Sequence, residues 1–312
     1  MFRFCNTCIR ASTNRWTRNR CLAITLLGAV ALLFTSGPGL AAESQDSCSG
    51  FIDVLPAVIN AEGIWCLRQN LSTNASSGVM ISVETNNVTI DCNGFKIGGL
   101  GGGAATTALA IGTNNQNKLR VRHCAIQGFL VGIGITGTGY GHLVENNLLD
   151  QNRGIGLTMR GNGTIARQNT VTNAGGSSTG GDAVGIDSDG DIIDNVVDGI
   201  SGGASVTTFS PTGIQSGLAT FHVAIGVLIQ GNRVRNLTPK GGNPAIGIRV
   251  NGTENLVRDN VVTQTSVTAG SGIRCFDGSS TARDNLVMNY GGGDVVFCKD
   301  GGGNSLTAGA GP

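Results

Sequence analysis

Carboxylate, amide and guanidinium side chains recur in the C-terminal half of the chain. Asp187, Asp189 and Asp191 are spaced two residues apart, and Arg249 and Arg274 follow further along. Arginine binds a carboxylate through two parallel hydrogen bonds, whereas aspartate can hold Ca²⁺ or transfer a proton. These side chains suit an anionic, hydroxyl-rich ligand, provided that the fold brings them to one surface.

The run from Asp187 to Asp191 is superficially similar to a calcium-binding loop. It lacks the bidentate Glu that completes an EF-hand, and this excludes that motif. Two interpretations stay open. Asp187, Asp189 and Asp191 form a looser Ca²⁺ site, or the segment is a turn rich in Asp and Gly, as turns commonly are.

Two short patterns recur along the chain and indicate the elements that position these side chains. One reads Gly-Ile-x-apolar, and the other reads apolar-x-x-x-Asn-x-apolar. The glycines of the first pattern are Gly132, Gly154, Gly185, Gly213, Gly247 and Gly272. The asparagines of the second are Asn147, Asn169, Asn195, Asn232, Asn260 and Asn285, separated by about 22 to 37 residues. This period is typical of repeat architectures, in which one unit cannot bury its own apolar face.

Period-2 alternation, with Gly inside nearly every segment, favours strands over helical repeats. Coils of two or three strands, each about 4.8 Å above the next, would stack Ile, Val and Leu inside. The asparagines would then form a ladder in which each amide bonds to its neighbours above and below. The sequence therefore predicts an all-β fold, a right-handed parallel β-helix of about nine coils, the first at 79–97 and the last near 295–297.

Three segments near the start of the repeats carry a family resemblance. They are Gly63-Ile64-Trp65-Cys66-Leu67, Ile81-Ser82-Val83 and Asn87-Val88-Thr89-Ile90-Asp91-Cys92-Asn93-Gly94-Phe95. Together they resemble the opening of bacterial right-handed β-helix repeat proteins of the pectin-lyase-like superfamily, over Val54 to about Phe297. The resemblance implies the fold and leaves the activity open, because that superfamily includes lyases, hydrolases, epimerases and members without known catalysis.

The histidines do not reproduce the active-site motifs of this superfamily. His123, His142 and His222 lie in different coils, and none has the Asp-Pro-His context of the alginate epimerases. The paired aspartates and Gly-His-Gly partner of polygalacturonases are also missing from the sequence. We therefore expect structural or solvated roles for the three histidines and leave catalytic residues unassigned.

The first 42 residues have the composition of an export signal. They contain no Asp or Glu, and five arginines precede the apolar run from Cys21 to Phe34. We expect a signal peptide over 1–42, cleaved after Ala41 or Ala42, with an uncleaved membrane anchor as the alternative. The predicted product is secreted or periplasmic and bacterial, without stable membrane insertion. It comprises an N-terminal cap region (43–78), the parallel β-helix (79–300) and a disordered tail (301–312).

Six cysteines remain after the predicted cleavage, and an even number in an exported chain is expected to pair. Equivalent residues of adjacent coils lie about 4.8 Å apart, which is within disulfide range. This spacing predicts the pairs Cys275–Cys298 and Cys92–Cys124, and Cys48–Cys66 would join the N-terminal cap. Isolated buried thiols are the alternative.

The residue after Ile in each Gly-Ile strand should face outward. This places on one face Gly134, Gly156, Asp187, Gln215, Arg249 and Arg274, and at the next outward position Thr136, Thr158, Asp189, Gly217, Asn251 and Phe276. Arg160 and Asp191 are expected at the border of this face. The candidate ligand-binding residues are therefore Asp187, Asp189, Gln215, Arg249, Asn251 and Arg274.

Composition and charge narrow the class of partner. The formal net charge is +1 and no basic stripe is present, which argues against a nucleic acid. We expect a protein that binds or processes a polysaccharide or cell-surface glycan, lyase-like on an acidic glycan if it is an enzyme. The alternative is a non-catalytic glycan-binding or structural module of the envelope or surface. The scarcity of Trp and Tyr, two of each, favours the alternative.

Overall fold

The computed structural model describes residues 47–178, 181–202, 210–217, 224–240 and 242–307. The predicted signal peptide and residues 308–312 lie outside these ranges. The described residues form a right-handed parallel β-helix of about nine coils, which confirms the predicted fold class. Each coil contributes one strand to each of three parallel sheets, here named A, B and C. Within a coil the chain passes through sheet B, then sheet A, then sheet C.

The three sheets run along the axis of the helix. Sheet A contains Gly50–Phe51, Gly63–Cys66, Val88–Asp91, Arg120–Arg122, Leu143–Glu145, Ile165–Arg167, Asp191–Ile193, Leu228–Gln230, Leu256–Arg258, Thr281–Arg283 and Lys299–Asp300. Sheet B contains Ala57–Ile59, Val79–Val83, Leu109–Asn114, Val131–Thr136, Ile155–Met159, Val184–Ser188, Thr212–Ser216, Ala245–Val250, Gly270–Cys275 and Val295–Val296. Sheet C contains Leu71–Ser72, Lys96–Gly98, Ala125–Gln127, Leu148–Asp150, Thr170–Thr172, Val196–Asp198, Arg233–Arg235, Val261–Thr268, Leu286–Tyr290 and Ser305–Thr307.

Two small elements lie outside the three sheets. Ala224–Ile225 pairs with Gly252–Thr253 in a separate two-stranded sheet. A short 3₁₀ helix covers Leu100–Gly102. Within the described residues, no helix is both long enough and apolar enough to cross a bilayer.

The β-helix extends beyond both ends of the predicted repeat region. Ala57–Ile59, Gly63–Cys66 and Leu71–Ser72 already form strands of sheets B, A and C, so the region assigned to the cap contains a coil. At the other end, Ser305–Thr307 pairs with Leu286–Met288. A strand therefore lies within the segment that the sequence assigned to the tail, and the glycines at 301–303 precede it.

The turns between sheets A and C hold the predicted asparagine ladder. The Nδ2 atom of each member donates to the Oδ1 atom of the next at 3.0 Å, through Asn147, Asn169, Asn195, Asn232, Asn260, Asn285 and Asn304. Each Oδ1 also accepts the backbone N–H of the residue one coil before it, beginning with Cys124 N–H to Asn147 Oδ1 at 3.0 Å. The ladder thus satisfies amides that are buried in the turns, as buried polar groups require.

The glycine of the Gly-Ile pattern is needed for space between sheets B and C. It faces the interior at Gly156, Gly185, Gly213, Gly247 and Gly272. A Cβ added at these positions would lie 2.1–2.5 Å from a Cγ1 atom of the valine column of sheet C, Val171, Val197, Val234, Val262 and Val287. The valines fill the room that the glycines leave, and close packing of this kind tolerates no added methyl group without movement.

Three disulfides join Cys48 to Cys66, Cys92 to Cys124 and Cys275 to Cys298, the three pairs expected from the sequence. Their Cα–Cα distances are 5.9, 4.7 and 5.0 Å, respectively. They lie towards the two ends of the described helix, where the sheets have an edge. Disulfides of this kind are typical of proteins from oxidising compartments.

Candidate functional site

The outer face of sheet B carries two columns of polar side chains. Cα pairing places Thr158, Asp187, Gln215, Arg249 and Arg274 in one column. The second column directly follows the ends of the same strands and contains Arg160, Asp189, Gly217, Asn251 and Phe276. All six candidate ligand-binding residues from the sequence therefore share one face.

The sequence-based register was wrong in the strand Ile155–Met159. Gly134 pairs with Thr158 and not with Gly156, because Leu157 lies beside Ile133. Gly154-Ile155 looks like the repeated pair, but the glycine in the repeated position is Gly156, which faces inward. The two-residue shift moves Thr158 into the column of Asp187 and brings Arg160 from the border into the column of Asp189.

Arg160 and two aspartates form the acidic end of this face. The guanidinium of Arg160 donates to both carboxylate oxygens of Asp187, with the Nη1–Oδ1 distance at 2.9 Å, and to Asp189 Oδ1 at 3.2 Å. Gln215 Nε2 also donates to Asp187 Oδ1, at 3.5 Å. Burial opposes the charge of Arg160, but the hydrogen bonds and charges of Asp187 and Asp189 outweigh it and raise the pKa of Arg160. Asp187 is only 3% exposed, and its carboxylate is already bound within the protein.

The three carboxylates considered for Ca²⁺ do not converge. Asp191 begins a strand of sheet A, and its Oδ1 accepts the backbone N–H of Leu228 at 2.9 Å. Asp187 and Asp189 share Arg160, which a cation would have to displace. In the described part of the chain, no three His, Cys, Asp or Glu side chains form a group that could hold a metal.

Two arginines and an aromatic ring form the basic end of the face. The Cζ atoms of Arg249 and Arg274 each lie 4.7 Å from the ring centroid of Phe276, and Arg274 Cζ lies 5.6 Å from that of Phe297. Arg249 Nε donates to Asn251 Oδ1 at 3.1 Å. Asn251 in turn donates to the carbonyl of Gly217 at 2.9 Å, which fixes its orientation. Asn251 thus positions Arg249, and both guanidinium groups lie within cation–π distance of the same ring.

The charge of this pair is not neutralised by a contact. Among the described ion pairs, none includes Arg249 or Arg274, and Arg274 Nε is buried without a hydrogen-bond partner. Burial lowers the pKa of Arg249, and the charge of Arg274 lowers it further, while Asp182 and Asp187 act in the opposite direction. Because the two guanidinium groups are partly buried and lie near each other without an ion-pair partner, an anion brought to them would be bound favourably.

Asp182 interacts electrostatically with Asp187, Arg249 and Arg160, and sequence reasoning missed it. It precedes the strand Val184–Ser188 by two residues and is partly buried. Burial and the charge of Asp187 raise its pKa, whereas Arg249 and Arg160 lower it. A raised pKa identifies a carboxyl group able to exchange a proton nearer neutral pH. No repeat pattern marks Asp182, because it lies in an irregular turn before the repeated strand.

The three parallel sheets place the chain among right-handed parallel β-helix proteins, the fold predicted from the sequence. No family model and no curated protein matches the sequence. Three solved structures illustrate the likeness. The Dettilon tailspike protein gp208 is 13% identical with a TM-score of 0.45, and the match covers 83% of this chain and 57% of that one.

The second structure is DFA-IIIase from Arthrobacter chlorophenolicus A6 in complex with DFA-III, at 12% identity and a TM-score of 0.44, covering 80% of this chain and 60% of that one. The third is the A-module of the mannuronan C-5 epimerase AlgE6 from Azotobacter vinelandii, at 9% identity and a TM-score of 0.41, covering 85% and 89%. The matches span less than two thirds of the tailspike and DFA-IIIase chains. The likeness concerns the fold and assigns no residue of the site.

Proposed function

We propose that this chain is an exported protein that binds an acidic polysaccharide on the outer face of sheet B. The observation that carries the proposal is the pair of arginines, Arg249 and Arg274, that both contact the ring of Phe276. Their guanidinium groups share one ring and have no carboxylate partner in the described part of the chain. A uronate carboxylate would supply that partner through charge-assisted hydrogen bonds.

The surroundings of the pair favour a sugar polymer. Phe276 is 47% exposed, so part of it remains available to contact a sugar ring. The column extends from Arg274 to Thr158 through five adjacent strands, a length of about 19 Å at about 4.8 Å per step. A polymer can contact side chains along the whole column, whereas a small anion would contact those of only one strand.

The test compares binding of pectate and alginate to three forms of the protein. Arg249→Ala with Arg274→Ala should weaken binding by about 10-fold or more, because two charge-assisted contacts are lost. The matched control is Arg120→Ala with Arg283→Ala, which removes the same charge from two arginines of sheet A, each 44% exposed in its side chain. The control should bind as wild type does. Equal binding by all three forms would refute the proposed face. Absence of binding by the wild-type protein would instead favour a structural surface module.

Asp182 favours a second candidate function, cleavage of the glycan by β-elimination. Arginine contacts to a uronate carboxylate acidify the neighbouring C–H group. Asp182 would take that proton, a C=C bond would form, and the glycosidic C–O bond would break, with the departing oxygen taking up a proton from solvent water. The raised pKa of Asp182 and its electrostatic interaction with Arg249 support this role.

Ultraviolet absorbance of the unsaturated product tests the lyase candidate. Asp182→Asn should reduce the rate by about 100-fold or more while leaving glycan affinity nearly unchanged. Asp259→Asn, on the surface near sheet A and about half exposed, is the control and should keep full activity. If wild-type protein gives no unsaturated product from pectate, alginate or glycosaminoglycans, with or without Ca²⁺, the lyase candidate is rejected and binding alone remains.

A further inference from the structure

The turns that lead from sheet B to sheet A differ in length in three successive coils. Five residues separate Met159 from Ile165, two separate Ser188 from Asp191, and eleven separate Ser216 from Leu228. A two-residue turn between two longer ones leaves a notch in the edge of the β-helix. Its volume is about 680 Å³.

The notch has a floor and two walls from separate coils. Asp189, Gly190 and Asp191 form the floor, residues 161–165 form one wall and residues 225–227 form the other. The second wall is held in place by pairing of Ala224–Ile225 with Gly252–Thr253. The notch therefore has a defined shape and opens beside the Arg160–Asp189 end of sheet B.

The lining of the notch suits an uncharged, hydroxyl-rich group. Its two carboxylates are already bound, Asp189 by Arg160 and Asp191 by the N–H of Leu228. Glycines supply much of the remaining surface and leave backbone N–H and C=O groups close to any ligand. Ile225, which is 66% exposed, offers an apolar patch for the C–H face of a sugar.

One buried polar side chain in the notch lacks a partner. Thr164 is 1% exposed, and its Oγ1 has no hydrogen-bond partner. This buried hydroxyl packs against Gly190, since a Cβ added there would lie 2.3 Å from Thr164 Oγ1. Gly190 fits at the floor of the notch because it carries no side chain that would collide with Thr164.

We propose that the notch is a subsite for an uncharged sugar portion of the same polysaccharide that Arg249 and Arg274 bind, an inference that rests on the proposed function. Asp189 belongs to both surfaces. The strand of Asp187 and Asp189 lies two strands from that of Arg249, a separation of about 10 Å. A chain that occupies both places makes ionic contacts at one end and hydroxyl contacts at the other.

A bulky group attached in the notch tests the subsite. All six cysteines of the described residues are in disulfides, so Ile225→Cys introduces a thiol that a bulky maleimide can label. The control is Leu148→Cys, labelled in the same way on sheet C, where Leu148 is 46% exposed. Wild-type protein treated with the reagent corrects for any other labelling. The probes are partly methyl-esterified oligogalacturonates of increasing length, which carry both acidic and uncharged sugar units.

If the notch is a subsite, affinity rises with chain length. The label at residue 225 should abolish this rise and weaken binding of the longest probe by about 10-fold or more, whereas the label at residue 148 should leave both unchanged. Unchanged length dependence with the label at residue 225 would overturn the subsite. If that label blocks binding while Arg249→Ala with Arg274→Ala has no effect, the arginine face fails and the notch stands as a site by itself. If no oligogalacturonate binds the wild-type protein, both proposals are overturned.

Discussion

The Nδ2 atom of Asn195 donates to the Oδ1 atom of Asn232 at 3.0 Å, although 37 residues separate them in the sequence. The distance equals that between Asn147 and Asn169, which are 22 residues apart. The insertion before Asn232 therefore leaves the stacking of coils unchanged. The ladder fixes one point in each coil, and the turns elsewhere can vary in length without disturbing it.

Removing a member of the ladder should destabilise the whole helix. In Asn195→Ala, the backbone N–H of Asn169 loses its acceptor, and its Nδ2 keeps only the carbonyl of Val144. We expect the free energy of unfolding to fall by about 3 kcal/mol, because buried donors without acceptors are costly. Urea denaturation followed by circular dichroism measures this change. Asn162→Ala, at an exposed position in a turn, should lie within about 0.5 kcal/mol of wild type.

The glycine column should not accept a methyl group. In Gly213→Ala, the new Cβ would lie 2.3 Å from Val234 Cγ1 and 2.7 Å from the carbonyl oxygen of Gly247. We expect a loss of about 2–3 kcal/mol from overpacking. Gly98→Ala is the matched control in another strand, since its nearest atoms would lie 3.6 Å away. Equal stability of the two variants would show that the glycines do not set the distance between sheets B and C.

His142 should make stability depend on pH below neutrality. Its side chain is buried, its Nδ1 accepts the backbone N–H of Leu119 at 3.2 Å, and its Nε2 has no partner. Burial lowers the pKa of His142 in the folded protein. The unfolded chain therefore takes up a proton first as pH falls below about 6.5. The stabilisation is complete above that pH and is lost progressively as pH falls towards the folded-state pKa.

Asn255 suggests the variant that isolates this effect. In an equivalent turn, its Oδ1 accepts the backbone N–H of Val227 at 2.8 Å, as the Nδ1 of His142 does for Leu119. His142→Asn should keep the hydrogen bond and lose the titration. The unfolding free energies of wild type and His142→Asn are compared from pH 8 to pH 5. Below about pH 6.5, the value for wild type should fall relative to that for His142→Asn. A difference independent of pH would contradict a neutral, buried His142.

The sequence was sufficient for features that repeat in every coil and insufficient for those that occur once. Asn147 to Asn285 were found because the same side chain recurs, whereas Asn304 was missed after a glycine run. The outward column was assigned correctly from Asp187 to Arg274 and failed at Gly156, where two glycines two residues apart fit the same pattern. Asp182 and the contact of Arg249 with Phe276 depend on turn geometry and side-chain orientation, which no periodic pattern encodes.

The most direct test of the proposed function compares two forms of one ligand. An oligogalacturonate and its counterpart with every carboxylate reduced to an alcohol are titrated calorimetrically into the wild-type protein at low and moderate salt. The arginine face predicts that the acidic form binds about 10-fold or more tightly than the reduced form, and that salt narrows this gap by screening. Equal affinity for the two forms, or an acidic form that does not bind, would contradict the assignment of Arg249 and Arg274 as carboxylate ligands.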